Sequence, residues 1–239
     1  MTSQEKNIVL NEIVDKYKKQ ADVIGVLAFG SFVRGNFDLY SDIDIYVLTA
    51  KKPSYVREGY TLQNTRVDVT LDEEQEAYEF LKREGHSVRR IFSHMLANGH
   101  ILYEKKSALK KVQQLAKKNL EGKTIYNNDE LLMHLYSIDD FYGEVLRFSK
   151  TKDTFSFEQS VVLLINNTIE CLLKIKGEYL RRPNELREII KKSDLTFWRS
   201  LEAVYHSKNN LNKVRNLGKL VRRIETLAKG PLPDHWKIR

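Results

Sequence analysis

A single cysteine, Cys171, stands among 239 residues. No internal disulfide can form, and no Cys/His spacing matches a zinc site. Long apolar runs are equally scarce: the longest uninterrupted aliphatic stretch is Val161–Ile165, far short of the roughly 20 residues that span a bilayer. Charges fall throughout positions 5–19 and no apolar run precedes a cleavage-like site there, so no signal peptide is read. The six histidines, at 86, 94, 100, 134, 206 and 235, lack ligand spacing. Internal repeats and low-complexity segments are missing too. The expectation is a cytoplasmic protein without membrane contact.

What is present is an ordinary globular composition, 41% hydrophobic and 30% charged, enough for a core and too apolar for wholesale disorder. The length allows one large domain or two small ones. Forty basic against 32 acidic side chains give a net charge of +8, which by itself hints at a polyanionic partner.

Positions 5–19 carry Val9, Leu10, Ile13, Val14 and Tyr17 at helical spacing. Val23–Phe29 reads as a buried strand stopped by Gly30-Ser31. Residues 42–48 alternate, with Ile43, Ile45 and Val47 opposite Asp42, Asp44 and Tyr46, and residues 66–71 repeat the pattern around Asp68. Helical patterns follow at 73–84, 88–97 and 107–119, with a strand at 100–103. After Gly122 only helical periodicity remains, at 130–148, 157–176, 183–192, 195–205 and 211–229. The spacing predicts an α+β chain: a domain with a mixed sheet over 1–122, then an all-α bundle over 123–239.

The chemistry lies in the first part. Carboxylates at i and i+2 on a strand share a side, with Cα atoms ~7 Å apart. Asp42 and Asp44 have no basic residue between positions 38 and 49 to neutralise them, so a divalent cation is the simplest counter-charge. Asp68, from another strand, would make a third oxygen ligand of the kind Mg²⁺ prefers. Two ions bridged by shared carboxylates are the usual apparatus of in-line nucleotidyl displacement. Gly30-Ser31, at a strand end, offers backbone N–H groups and a hydroxyl to phosphate oxygens, with Arg34 one turn beyond. No lysine follows in the P-loop manner.

Gly30-Ser31-x-x-Arg34-Gly35, Ser41-Asp42-Ile43-Asp44-Ile45 and Arg66-Val67-Asp68-Val69, in that order, resemble the signature of the polymerase-beta-like nucleotidyltransferase superfamily. The resemblance implies a twisted mixed sheet, a nucleoside triphosphate (ATP or another NTP) held by Gly30, Ser31, Arg34 and Ser41, and two Mg²⁺ on Asp42, Asp44 and Asp68. Residues 67–74, the segment 101–104, and 185–195 followed by Trp198 further resemble kanamycin nucleotidyltransferase and its relatives. In those enzymes a helical C-terminal domain covers the nucleotide site, dimerisation completes it, and an acidic residue on the first C-terminal helix activates the acceptor hydroxyl. That implies Asp140 as general base, with Asp139 and Glu144 as neighbouring alternatives; Glu170, mid-helix in the apolar run 161–175, is a further candidate, against the plainer reading of a pair with a lysine or tyrosine. The family helix carries a lysine shortly after its base, where this chain has Glu144; Arg147 is a possible substitute for its phosphate contacts. Tyr126, Tyr136, Tyr142 and Phe155 are candidates to line an acceptor pocket.

The function expected is Mg²⁺-dependent transfer of a nucleoside monophosphate, AMP above all, to a small-molecule hydroxyl, with an aminoglycoside-type antibiotic as acceptor, by a homodimer. Competing readings are a regulatory or antitoxin-like enzyme modifying protein or RNA, or a non-catalytic nucleotide-binding module. In the former, the helical half would be HEPN-like, and Arg199 and His206 faintly echo its Arg…His pair. Charge by segment favours a cationic acceptor. Residues 1–120 hold 19 basic and 16 acidic side chains, 121–200 hold 12 and 13, and 201–239 hold 9 and 3. Within 129–170 the balance is 3 basic to 8 acidic, which attracts a cation and repels nucleic acid. The surplus belongs to the last helix, read as bundle core with a solvated basic face.

Overall fold

The computed structural model describes residues 3–35 and 40–238. Strong alternation and β-branched content yield the expected strands. The first unit begins with α1 (Ser3–Lys18), whose helically spaced Val9, Ile13 and Tyr17 are buried. There follow β1 (Val23–Phe29), the short α2 (Gly30–Arg34), β2 (Ile43–Thr49), β3 (Arg57–Leu62), β4 (Thr65–Glu73), α3 (Glu74–Glu84), α4 (Ile91–Ala97), β5 (His100–Glu104) and α5 (Ala108–Glu121). The five strands form one mixed sheet in the order β3-β4-β2-β1-β5. β2 and β4 run parallel; the other neighbours are antiparallel.

Both faces of the sheet are buried, over different lengths. One face packs Val26, Ala28, Ile43, Ile45, Val47, Val67 and Val69 against α1 and Phe32. On the other, Leu27, Tyr46 and Leu48 pack against Ala77, Leu81, Leu96, Leu109 and Val112 from α3, α4 and α5. Tyr46 is therefore core, although it alternates in phase with Asp42 and Asp44. Those aspartates belong to the opposite end of the same face, where burial is incomplete.

β3 was not among the expected strands. It is an edge strand with alternately exposed and half-buried residues, opened by charged Arg57 and Glu58 and interrupted by Gly59. No apolar run marks it. The turn to β4 consists of Gln63 and Asn64, both at positive φ, 46° and 61°, as the twist of a two-residue hairpin requires.

The second unit comprises α6 (Asn128–Phe148), α7 (Thr154–Lys176), α8 (Pro183–Ser193), α9 (Leu195–Tyr205) and α10 (Asn210–Leu227). Its core joins Ile138, Val145, Phe157, Leu164, Leu172, Phe197, Leu201, Leu217 and Ile224. Asp194 links two helices: it accepts from Phe197 N–H at the start of α9 and pairs with Arg223 of α10 at 2.6 Å. Cys171 is buried, and burial pushes its thiol up to about 12, so it is a packing residue.

The chain divides between Gly122 and Lys123, but His86–Arg89 fold with the second unit. Val88 enters the helical core and its carbonyl accepts from Leu180 N–H at 2.7 Å. This corrects the helix expected over 88–97, which starts only at Ile91. Arg90 begins the return to the first unit. Its buried guanidinium donates to the carbonyls of Asn119 and Gly122, tying the α4 start to the α5 end.

Candidate active site

Parallel pairing of β2 with β4 places Asp44 directly opposite Asp68. In-register residues on adjacent strands share a face about 4.8 Å apart, so the alternation read separately in two segments becomes one carboxylate pair. Asp42 immediately precedes β2, two residues from Asp44, and is half-buried. On the other side of β2, Asp44 is opposite Phe29 of β1, after which the chain turns into α2.

That turn is built around Asp44. Gly30 has φ +78°, and a Cβ placed on it would lie 1.9 Å from Asp44 Oδ2. Only glycine meets both demands. Ser31 is half-buried in the first turn of α2. Arg34 lies in its last, and Arg34 Nε donates to the Gly30 carbonyl at 3.1 Å. Gly35 ends the helix at φ 79°, the left-handed conformation favoured after a C-terminus. Ser41 is half-buried just ahead of Asp42.

The electrostatics of the two paired aspartates diverge. Burial, then the charges of Asp42 and Asp68, raise Asp44 to about 6, against the opposing pull of Arg34 and Arg57. Asp68 is held below its ordinary value by its hydrogen bond to Arg57, by the Arg57 charge and by Arg66. Arg57 donates through Nε to Oδ1 at 3.1 Å and through a terminal nitrogen to Oδ2 at 2.5 Å. Sequence reading missed Arg57, because β3 itself was missed; the signal would have been the hairpin register that sets Arg57 diagonal to Asp68.

The donor set suits a hard divalent cation: carboxylate oxygens, with a negative surplus around Asp44 that a cation would relieve. Among the described residues, however, no group of three such ligands is closed around one point. Both oxygens of Asp68 face Arg57 instead.

Residues 11–108 match the family model "Polymerase beta, Nucleotidyltransferase". That segment is a nucleotidyltransferase domain of the polymerase-beta type. Gly30-Ser31, Asp42, Asp44 and Asp68 lie inside it. The fold resembles that of a crystallised nucleotidyltransferase-like protein from Exiguobacterium sibiricum 255-15. That likeness has a TM-score of 0.54 at 14% identity, covering 92% of this chain and 73% of the other. No curated protein sequence matches the chain significantly. Among the described residues, no helix of the chain is long and apolar enough to cross a membrane.

The remaining candidates fall in the helical unit. Asp139 and Asp140 are exposed on α6, and Glu144 is paired with Arg147 at 2.6 Å, so Arg147 is engaged within its own helix. Glu170 pairs with Arg89 at 2.7 Å. A polar cavity of about 390 Å³ opens between α6 and α7, lined by residues including Asp129, Glu130, His134, Ser137, Asn167 and Lys174. Burial and the charge of Lys174 keep His134 below its usual value. None of Tyr126, Tyr136, Tyr142 or Phe155 lines that cavity. Tyr142 packs on the core, Tyr136 meets Trp236 as a tilted ring pair with centroids 5.4 Å apart, and Phe155 is exposed. Arg199 and His206 are both exposed, on α9 and at its C-terminal cap.

Proposed function

We propose that this nucleotidyltransferase moves a nucleoside monophosphate, AMP in the first instance, from an NTP to a hydroxyl of a small cationic acceptor of the aminoglycoside type. The observation that carries the reading is the in-register Asp44–Asp68 pair, with Asp42 beside it and Gly30 beneath it. Asp42, Asp44 and Asp68 would hold two Mg²⁺ ions, which supply charge neutralisation at the transferring phosphoryl group.

The chain's own groups have separable tasks. Ser31, Ser41 and the backbone at Gly30 bind phosphate oxygens of the donor, and Arg34 adds a positive charge beside them. Asp140 accepts the acceptor's hydroxyl proton. The acceptor oxygen then bonds to the α-phosphorus, and the bond from that phosphorus to pyrophosphate breaks. The acidic excess over residues 129–170 supports a cationic acceptor over nucleic acid. The same reading makes the enzyme a cytoplasmic homodimer with a role in antibiotic resistance.

The test is incubation with α-labelled ATP, CTP, GTP and UTP, with Mg²⁺ or EDTA, against panels of aminoglycosides, proteins and RNAs. Label on an aminoglycoside, dependent on Mg²⁺, is the expected result. Label on protein or RNA alone assigns a regulatory enzyme, and no label anywhere overturns the catalytic reading.

A further inference from the structure

Arg57 engages both oxygens of the carboxylate proposed as third metal ligand. A carboxylate that accepts two parallel N–H bonds from one guanidinium has its best lone pairs committed. Arginine and a cation therefore compete for Asp68. The hairpin makes the arginine easy to release. Arg57 lies on an edge strand with its side chain 72% exposed, whereas Asp68 is 21% exposed. The residue directly opposite Asp68 is Gly59, where a Cβ would meet only the Val67 carbonyl, at 4.0 Å, so no side chain from that position hems the guanidinium in. The guanidinium can thus leave Asp68 without breaking core packing or desolvating a charge.

The charge left behind has an obvious partner. Arg57 also interacts electrostatically with Asp44 and Asp42, the carboxylates beside which the donor's phosphates are proposed to lie. We infer that Arg57 couples the two ligands of this site: it opposes cation binding at Asp68 when nucleotide is missing, and once displaced it binds the polyphosphate of the donor. This rests on the metal-carboxylate reading above and adds a residue to it. Physically, the exchange keeps the site near charge balance at each stage, with arginine on carboxylate first, then cation on carboxylate and arginine on phosphate.

The two halves predict opposite signs for one substitution. Binding of Mn²⁺ alone, followed by its electron paramagnetic resonance signal, should be about tenfold tighter in Arg57→Gln than in wild type, since a charge-assisted competitor is gone. Binding of ATP in the presence of non-catalytic Ca²⁺, followed by calorimetry, should be about tenfold weaker. Arg57→Lys, which keeps the charge and loses the fork, should fall between on both axes. Far-UV circular dichroism confirms folding, and Asp44→Asn serves as the reference variant. If Asp44→Asn abolishes Mn²⁺ binding while Arg57→Gln leaves it unchanged or weakened, the role of Arg57 is overturned and the metal reading stands. The same holds if ATP affinity is unchanged in Arg57→Gln. If Mn²⁺ binding is unaffected by Asp44→Asn, the metal reading itself fails.

Discussion

Asp44 occupies the space that a side chain on Gly30 would need, its Oδ2 lying 1.9 Å from the position of a Cβ there. The left-handed φ of +78° adds a second barrier. Gly30→Ala must therefore shift the carboxylate, the turn or both. Strain at the dihedral alone costs about 1 kcal/mol, which urea unfolding would register. Displacing a catalytic group by an ångström can lower turnover about 100-fold, so nucleotidyl transfer should fall by at least that much. A variant with wild-type transfer would show that Asp44 need not rest on residue 30.

Asp42→Asn and Asp44→Asn test the carboxylates without changing shape. Each substitution removes one negative charge from a set proposed to hold two divalent ions. Transfer should become undetectable in either variant while far-UV circular dichroism stays unchanged. Retained turnover in a purified variant would take that residue out of the metal assignment.

Asp44 also links pH to stability. In the fold it titrates near 6, raised first by burial and then by Asp42 and Asp68, against an ordinary 3.8 in the unfolded chain. The native state binds the proton more tightly, so the ionised group weakens the fold above about pH 6. That penalty disappears as pH falls through 6 toward 4. In EDTA, Asp44→Asn should raise Tm at pH 8 and leave it unaltered below pH 4. A Tm gain of equal size at both pH values would rule out the charge as its source.

The first unit was readable because its signals are local. Val23–Phe29 and Ile43–Thr49 alternate or run apolar between polar turns, and the Gly-Ser and Asp-x-Asp elements each fall within four residues. Register was not readable: that Asp44 faces Asp68, and that Gly30 must be glycine for Asp44's sake, depends on pairings 24 and 14 positions apart. β3 escaped because an edge strand buries one side only and needs little hydrophobicity. Val88 escaped for the opposite reason. Its apolar character fits a helix as well as a buried connector, and only the fold shows it joining the helical core. In that core, periodicity located α9 over Leu195–Tyr205 to the residue. It could not say which aromatics meet.

Asp140 is the test of the helical unit's chemistry. It is exposed on α6, whereas Glu144 and Glu170 are held by Arg147 and Arg89. Asp140→Asn should lower kcat by about 100-fold or more, as expected on losing a general base, and leave ATP binding intact. A near-wild-type kcat would move the base to Asp139 or another group. Weakened ATP binding would mean that the residue acts on the donor instead.

The basic surplus of the last helix divides into two kinds of charge. Lys213 pairs with Glu158 and Arg223 with Asp194, both at 2.6 Å, so the solvated basic face is narrower than its spacing suggests. Arg215, Lys219 and Arg222 are exposed. Replacing those three with glutamine should leave transfer to a small acceptor unchanged and shift stability by less than about 0.5 kcal/mol, as for surface positions generally. Arg223→Gln is different. Asp194 is 3% exposed and would keep Lys176 at 3.5 Å and the Phe197 N–H as partners, so the loss should be about 2 kcal/mol, below the full cost of stranding a buried charge. Urea unfolding of both variants separates the cases. If the triple variant instead lost transfer at unchanged stability, the basic face would belong to the acceptor site, and a polyanionic substrate would return as the better reading.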